Sequence, residues 1–367
     1  AGQREDGFMV FTSTKLFWAN RFSTFLFWAL APCLAANAHV VCVIDAAGFQ
    51  AALNDASDGG IYNNEDNSIN LAAGTYSTHS NGDQPFTFSS TAPHGVYVTG
   101  GGNINCATFS RNPKSTILSG HNQTPVIVAH SSNSASVFVL SELTIQDGES
   151  TQDGGGVSIN ATSTDAGGVS LNFSIVQKNH TTAKGAGVYI ATGVNQGISL
   201  WNTVIVNNSA DVDYGAGELV ARDANSLVLL VSDDVVANTS SAIGATGALY
   251  LGGLGNLNVN FSIFAHNKNV GLYFANARGT LFYVDCGTVG GSAPAAVTGF
   301  VQTDPLFVDY MGSPPDLHLM SGSPLLAAAP YSGLLEPYDI EGHSIPLSGK
   351  VDFGAYEDTV FADGFDG

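Results

Sequence analysis

Two markers recur through the middle of this chain with the same period, and that recurrence restricts the fold more than anything else in the sequence. Gly156, Gly187, Gly217 and Gly247 stand 31, 30 and 30 residues apart and precede "VSI", "VYI", "ELV" and "ALY"; a shorter unit places Gly271 before "LYF". In the other half of each unit, Asn179, Asn208, Asn238 and Asn267 are spaced 29, 30 and 29 residues apart. Each Asn closes an alternating run: "VSLNFSIVQKN", "ISLWNTVIVNN", "LVLLVSDDVVAN", "LNVNFSIFAHN". A period of this size signals a solenoid or a propeller. Each unit offers two or three short strands, whereas a propeller blade needs four strands in about 40 residues. Apolar residues alternate with period two, which excludes helical repeats. Each unit therefore reads as one coil of a β-solenoid, stacked on the next at about 4.8 Å by parallel ladder hydrogen bonds. On this reading glycine recurs for turns with positive φ or close approach between coils. Asn recurs because it tolerates the left-handed region and its amides stack along a ladder.

The regular coils span about 137–285, and less regular coils precede them in "SINLAAGTYS", "GVYVTGG" and "STILSG". "DAAGFQAALNDA" reads as a short amphipathic helix capped by Asp45 that covers the N-terminal end. After Asp285 the period fades, and about 300–357 reads as an irregular C-terminal cap, followed by a short acidic tail at 358–367. Residues 1–38 read as a leader. Residues 1–8 precede Met9, then Lys15 and Arg21 lead into "FSTFLFWALAPCLA" and the small-x-small site "ANA". This is the pattern of a cleaved secretory signal, with the mature chain starting near His39; a lipoprotein cysteine at Cys33 is the rival, with Pro32 the wrong residue before it. No second apolar run is long enough to cross a bilayer. The expected location is secreted or at the cell surface. Cys42, Cys106 and Cys286 then remain; Cys42–Cys106 is the favoured disulfide, with the other two pairings open.

The helix, "LAAGTY", "VTGGG…C", "STILSG", "LTIQDG" and the glycine/Asn coils resemble the right-handed parallel β-helix proteins with a choice-of-anchor Q domain, of pectin-lyase-like fold. The ending "TDPLFVD…DLHL…SGSPLL…DIEGHSIPLSGKVDFGAYE" is the most specific part of the match, and "FAHN" is similar to repeats of polymorphic outer-membrane proteins. One departure is "LLAAAP", where the family's segment after "SGSP" carries an Asp and a Gly. The resemblance implies an all-β, single right-handed parallel β-helix held outside the cell, and no particular reaction.

Enzymatic signals are sparse. A polyuronate lyase needs a base and a neutralising cation, yet the chain beyond the leader has eight basic residues that do not align in adjacent coils. The net charge of −20 also repels an acidic polymer. The calcium signatures of RTX repeats and EF-hands are absent, although Asp211 and Asp213 in "ADVDYG" are candidates for Ca2+ at a turn. A hydrolase needs two opposed carboxylates. Asp233 and Asp234 are the nearest pair, with Arg222 beside them, but the GHG, RIK and NTD motifs of polygalacturonases are missing; the alternative is a solvated strand edge. Glu218 falls at an inward position of the glycine register, unless a one-residue slip turns Leu219 inward instead. Counting outward positions gives a stripe of Tyr189, Leu219, Leu249 and Tyr273, with Trp201 in a second stripe, suited to stacking sugar rings or docking a partner unless loops or the C-terminal segment cover it. No nucleic-acid patch is present. The favoured function is a non-catalytic β-helix scaffold that binds a polysaccharide or cell-surface component without a cofactor; a polysaccharide lyase or glycoside hydrolase is the alternative.

Overall fold

The computed structural model describes residues 38–132, 137–162, 167–242 and 247–358. Apart from Ala38 and Asp358, the leader expected over 1–38 and the tail expected over 358–367 lie outside the described residues. The chain winds as a parallel β-solenoid. Sheet I has ten strands, from His39–Val43 to Ala296–Thr298, and sheet II has eight, from Gly74–Ser77 to Asp285–Cys286. A ladder of four two-residue strands runs from Glu149–Ser150 to Thr239–Ser240, and sheet III has eight strands, from Phe86–Ser90 to Val289–Gly291. Strands from successive coils pair in parallel, so like residues stack: Val169, Ile198, Val228 and Leu257 form one inward file of sheet I. All four are buried, as are the inward files of the other two large sheets. Burial of this repeating apolar file, at about 25 cal/mol per Å2, is the main force joining coil to coil.

The Asn repeat forms a single file. Nδ2 of Asn179 donates to Oδ1 of Asn208 at 2.9 Å, Asn208 to Asn238 at 3.0 Å, and Asn238 to Asn267 at 3.1 Å. Backbone N–H groups of Asn179, Asn208 and Asn238 donate to the same oxygens. The left-handed corner is not at these residues. It falls one residue earlier, at Lys178, Asn207, Ala237 and His266, with φ of 55°, 57°, 54° and 55°. The Asn repeat thus exists for its buried amide and not for its backbone. Asn208→Ala would strand the buried N–H of Asn179 and remove the amide's bonds to Val176 O and Val206 O. At about 1–3 kcal/mol for each stranded group, it should lower the urea midpoint clearly, whereas Asn225→Ala at an exposed turn should not.

The glycine repeat is less regular than its spacing. Val157, Val188, Gly217 and Leu249 share one file of sheet III, so Gly187 stacks on Ala216, not on Gly217. Positive φ occurs at Gly154 (85°) and Gly185 (66°), and the next coil places Tyr214 there with φ 58°. Gly217 instead makes room in the core, since a Cβ there would run into the Val188 side chain.

Helix α1, Ala46–Ala56, begins at Asp45, whose carboxylate accepts the Gly48 N–H at 2.7 Å. It buries Phe49 and Leu53 against the first coils. Cys42 and Cys106 form a disulfide, while Cys286 is a buried free thiol in the inward file of sheet II.

From about residue 300 the chain lies along the flank of the coils. Phe307, Leu317, Leu325, Ile340, Val351, Phe353 and Tyr356 make a second apolar cluster with outward residues of sheets I and II, among them Trp201, Leu229, Val231, Val204, Val236 and Ile263. Arg111 lies over the Tyr338 ring at 4.3 Å, and Lys114 Nζ bonds Glu341 at 2.7 Å, fixing the segment to an early coil.

Candidate functional site

Once the C-terminal segment has covered sheets I and II, the outer face of sheet III keeps a file of large side chains. Its register is Ser158, Tyr189, Glu218, Tyr250 and Tyr273. Successive members come from adjacent coils, and all are half-buried. The Tyr250 and Tyr273 rings lie 5.6 Å apart, 13° from parallel, and Tyr214 joins Tyr250 at 4.7 Å. Gly252 is the outward position two residues beyond Tyr250, and a Cβ there would collide with the Tyr250 ring. The ring therefore leans down the strand over the glycine.

Glu218 sits between the rings. A second file runs alongside, in which Lys184 pairs with Asp213, and Lys184 N–H donates to the Asp153 carboxylate of the coil before. Burial raises the Glu218 carboxyl above its usual range; Lys184 opposes this, and Asp153 and Asp213 add to it. Burial, then Glu218, also raises the Tyr189 and Tyr250 hydroxyls. The two nearby cations are engaged. Lys184 Nζ lies 5.6 Å from the Tyr214 ring centre, while Arg222 donates to Asn160 Oδ1 at 3.0 Å.

Several sequence expectations are corrected here. Leu219 and Leu249 are not on the outer stripe; both are fully buried in the core, and Glu218 and Tyr250 take the outward places. The cause is a one-residue offset at Gly217 and another, of opposite sense, at Gly247, since a shift of one reverses every side chain. Trp201 does face outward from sheet I, in file with Asn172 and Val231, but it is 8% exposed beneath the C-terminal segment. Tyr189 and Tyr273 are where they were expected. Tyr250 was missed, although "LYLGG" alternates correctly once Leu249 is turned inward.

Asp233 and Asp234 are not solvated strand-edge residues. Asp233 is fully buried at a corner, where Oδ1 accepts the Thr203 N–H at 2.8 Å, and its own N–H donates to Ser262 Oγ at 3.1 Å. Burial pushes its carboxyl far up. Asp234 faces out from sheet II under the C-terminal segment and accepts the Ala355 N–H at 3.2 Å. Neither meets Arg222, which follows the sheet III strand Gly217–Ala221. For Ca2+, Asp211 is exposed and lies 3.4 Å from His180 Nε2. Asp213 is nearly buried and accepts the N–H groups of Tyr214 and Gly247. Among the described residues, no group of three or more His, Cys, Asp or Glu side chains is arranged to hold a metal ion.

No family model matches the chain, and no curated protein matches it significantly. Among the described residues, no helix is long and apolar enough to cross a membrane.

Proposed function

We propose that this β-helix is a secreted or cell-surface scaffold, of pectin-lyase-like and choice-of-anchor Q type, that binds a glycan on the outer face of sheet III. One observation carries the reading: the file Tyr189, Glu218, Tyr250, Tyr273 stays accessible, whereas the outward apolar residues of the later coils of sheets I and II lie under the C-terminal segment. A rigid row of aromatic side chains with phenol hydroxyls beside a carboxyl suits pyranose rings, which offer C–H groups to pack and hydroxyls to bond. Such a face acts without a cofactor, so chelator should leave binding unchanged. The expected result is that Tyr250→Ala with Tyr273→Ala lowers glycan binding at least ten-fold on an array or by calorimetry. Trp201→Phe, under the C-terminal segment, should leave it intact. Undiminished binding by the double variant would remove the face from the proposal.

A catalytic reading has one observation in its favour. Glu218, with its raised carboxyl, has Asp153, Asp213, Lys184 and Arg222 around it, and a proton donor beside other carboxylates is what glycoside cleavage uses. Neutral and acidic polysaccharides incubated with and without Ca2+ decide this. Absence of new reducing or unsaturated ends eliminates cleavage, and new ends lost in Glu218→Gln establish it.

A further inference from the structure

We infer that the sheet III face takes a polysaccharide bearing protonated amino groups, a glucosamine-type polymer, in preference to neutral or uronate chains. This rests on the binding reading above and adds the ligand class. The file is aromatic except at Glu218, which has Tyr189 on the coil before and Tyr250 on the coil after. An ammonium group over Glu218 gains a charge-assisted hydrogen bond between the Tyr189 and Tyr250 side chains of the adjacent coils. Glycan chemistry supplies such a group on an amino sugar. A sugar chain running along the solenoid axis meets one ladder residue about every 4.8 Å, close to the length of one pyranose. A platform ring, the carboxylate and two further rings would then face consecutive sugars.

Charge points the same way. Asp153 and Asp213 both add negative potential at Glu218, against Lys184 alone. Lys184 lies 5.6 Å from the Tyr214 ring centre, and Arg222 donates one N–H to Asn160 Oδ1, so both cations are partly engaged within the protein. The chain as a whole carries −20. That field draws in a polycation and repels a polyuronate, and a desolvated, partly occluded carboxylate is the local element that turns attraction into selectivity.

The test is calorimetry at fixed ionic strength with three oligosaccharides of equal length: glucosamine, N-acetylglucosamine and galacturonate oligomers. The wild-type chain should bind the amine form at least ten-fold tighter than the acetylated form, and the uronate weakest. Glu218→Gln should bring the first ratio close to one. Asp309→Asn, which removes the same charge from an exposed site on the C-terminal segment, should leave the ratio intact. Overturning results are a ratio unaltered by Glu218→Gln, a ratio lost equally in Asp309→Asn, or tighter binding of the uronate. Binding of none of the three also overturns it. Tyr250→Ala with Tyr273→Ala separates the two levels: if the double variant loses binding but Glu218→Gln keeps the ratio, only the ligand class fails. If the double variant binds normally, the face itself fails.

Discussion

Replacing Gly354 with alanine should release the C-terminal segment from the flank of the solenoid without unwinding the coils. Gly354 has φ +92°, in the region that costs an L-residue about 1–2 kcal/mol. An added Cβ would be driven into the Asp234 carboxyl and to 2.9 Å from Ile263 Cδ1. Asp234 is buried on a strand paired on both sides, so neither it nor Ile263 can move aside cheaply. Overpacking of this kind adds about 1–3 kcal/mol, and the Gly354 N–H also gives up its bond to Phe261 O, 2.7 Å long. The readout is built in. Apart from Trp18 and Trp28 in the expected leader, Trp201 is the chain's only tryptophan, and it belongs to the apolar cluster beneath the segment. In a chain starting at His39, Gly354→Ala should shift Trp201 emission to the red and open residues 300–358 to protease, with the β circular dichroism retained. Unchanged emission and proteolysis would show that the segment does not depend on this contact. The coils should survive because each is stabilised mainly by its neighbours.

The same contact should make the segment's hold depend on pH. Burial pushes the Asp234 carboxyl up to about 8; the Ala355 N–H and His318 oppose the rise, and Asp358 adds to it. Among the described residues no donor reaches Asp234 Oδ1, which suits a protonated acid. Tyr356 packs nearby, with burial and then Asp234 pushing its hydroxyl up. With the folded value raised, the folded state holds a proton that the unfolded chain, with an ordinary Asp value of about 3.9, has released. The stability from neutral Asp234 is therefore whole below about pH 4 and is lost as pH rises through about 8. His318 acts in the same direction. Glu341 first, with Asp316 and Asp358 and against burial, raises it to about 9, so its contribution is present below about 6.5 and lost through about 9. Glu341 is held down to about 2 by His318 and Lys114 and matters only in strong acid. Protease susceptibility of residues 300–358 and Trp201 emission should thus be lowest near pH 5–6 and should rise towards pH 9. Asp234→Asn, neutral throughout, should flatten much of that slope. A profile level from pH 5 to 9 would contradict the linkage.

How much of this was legible in the sequence depends on which interaction was repeated. The Asn file could be read because every coil carries the same solution to one problem, a buried amide bonding the coil above and below. The capping helix could be read because Asp45 and the spacing of Phe49 and Leu53 are local. The glycine register could not. Its glycines serve different needs, positive φ at Gly185 and core room at Gly217, so equal spacing concealed the two offsets, at Gly217 and at Gly247, that moved Leu219 and Leu249 inward and Tyr250 outward. Asp233 and Asp234 misled for a related reason. Carboxylates in a strand imply solvent only while nothing covers that strand, and the covering chain is more than a hundred residues away, with Ala355 N–H on Asp234.

The sequence by itself determined the winding, the Asn file and the capping helix, because each rests on hydrogen bonds and apolar contacts between positions one period or a few residues apart. Only the tertiary structure decided which outer face remains open. That choice belongs to residues 300–358, whose irregular sequence has no period to announce where they lie, and whose docking buries Trp201 and Asp234 while leaving Tyr189, Glu218, Tyr250 and Tyr273 outside the second apolar cluster.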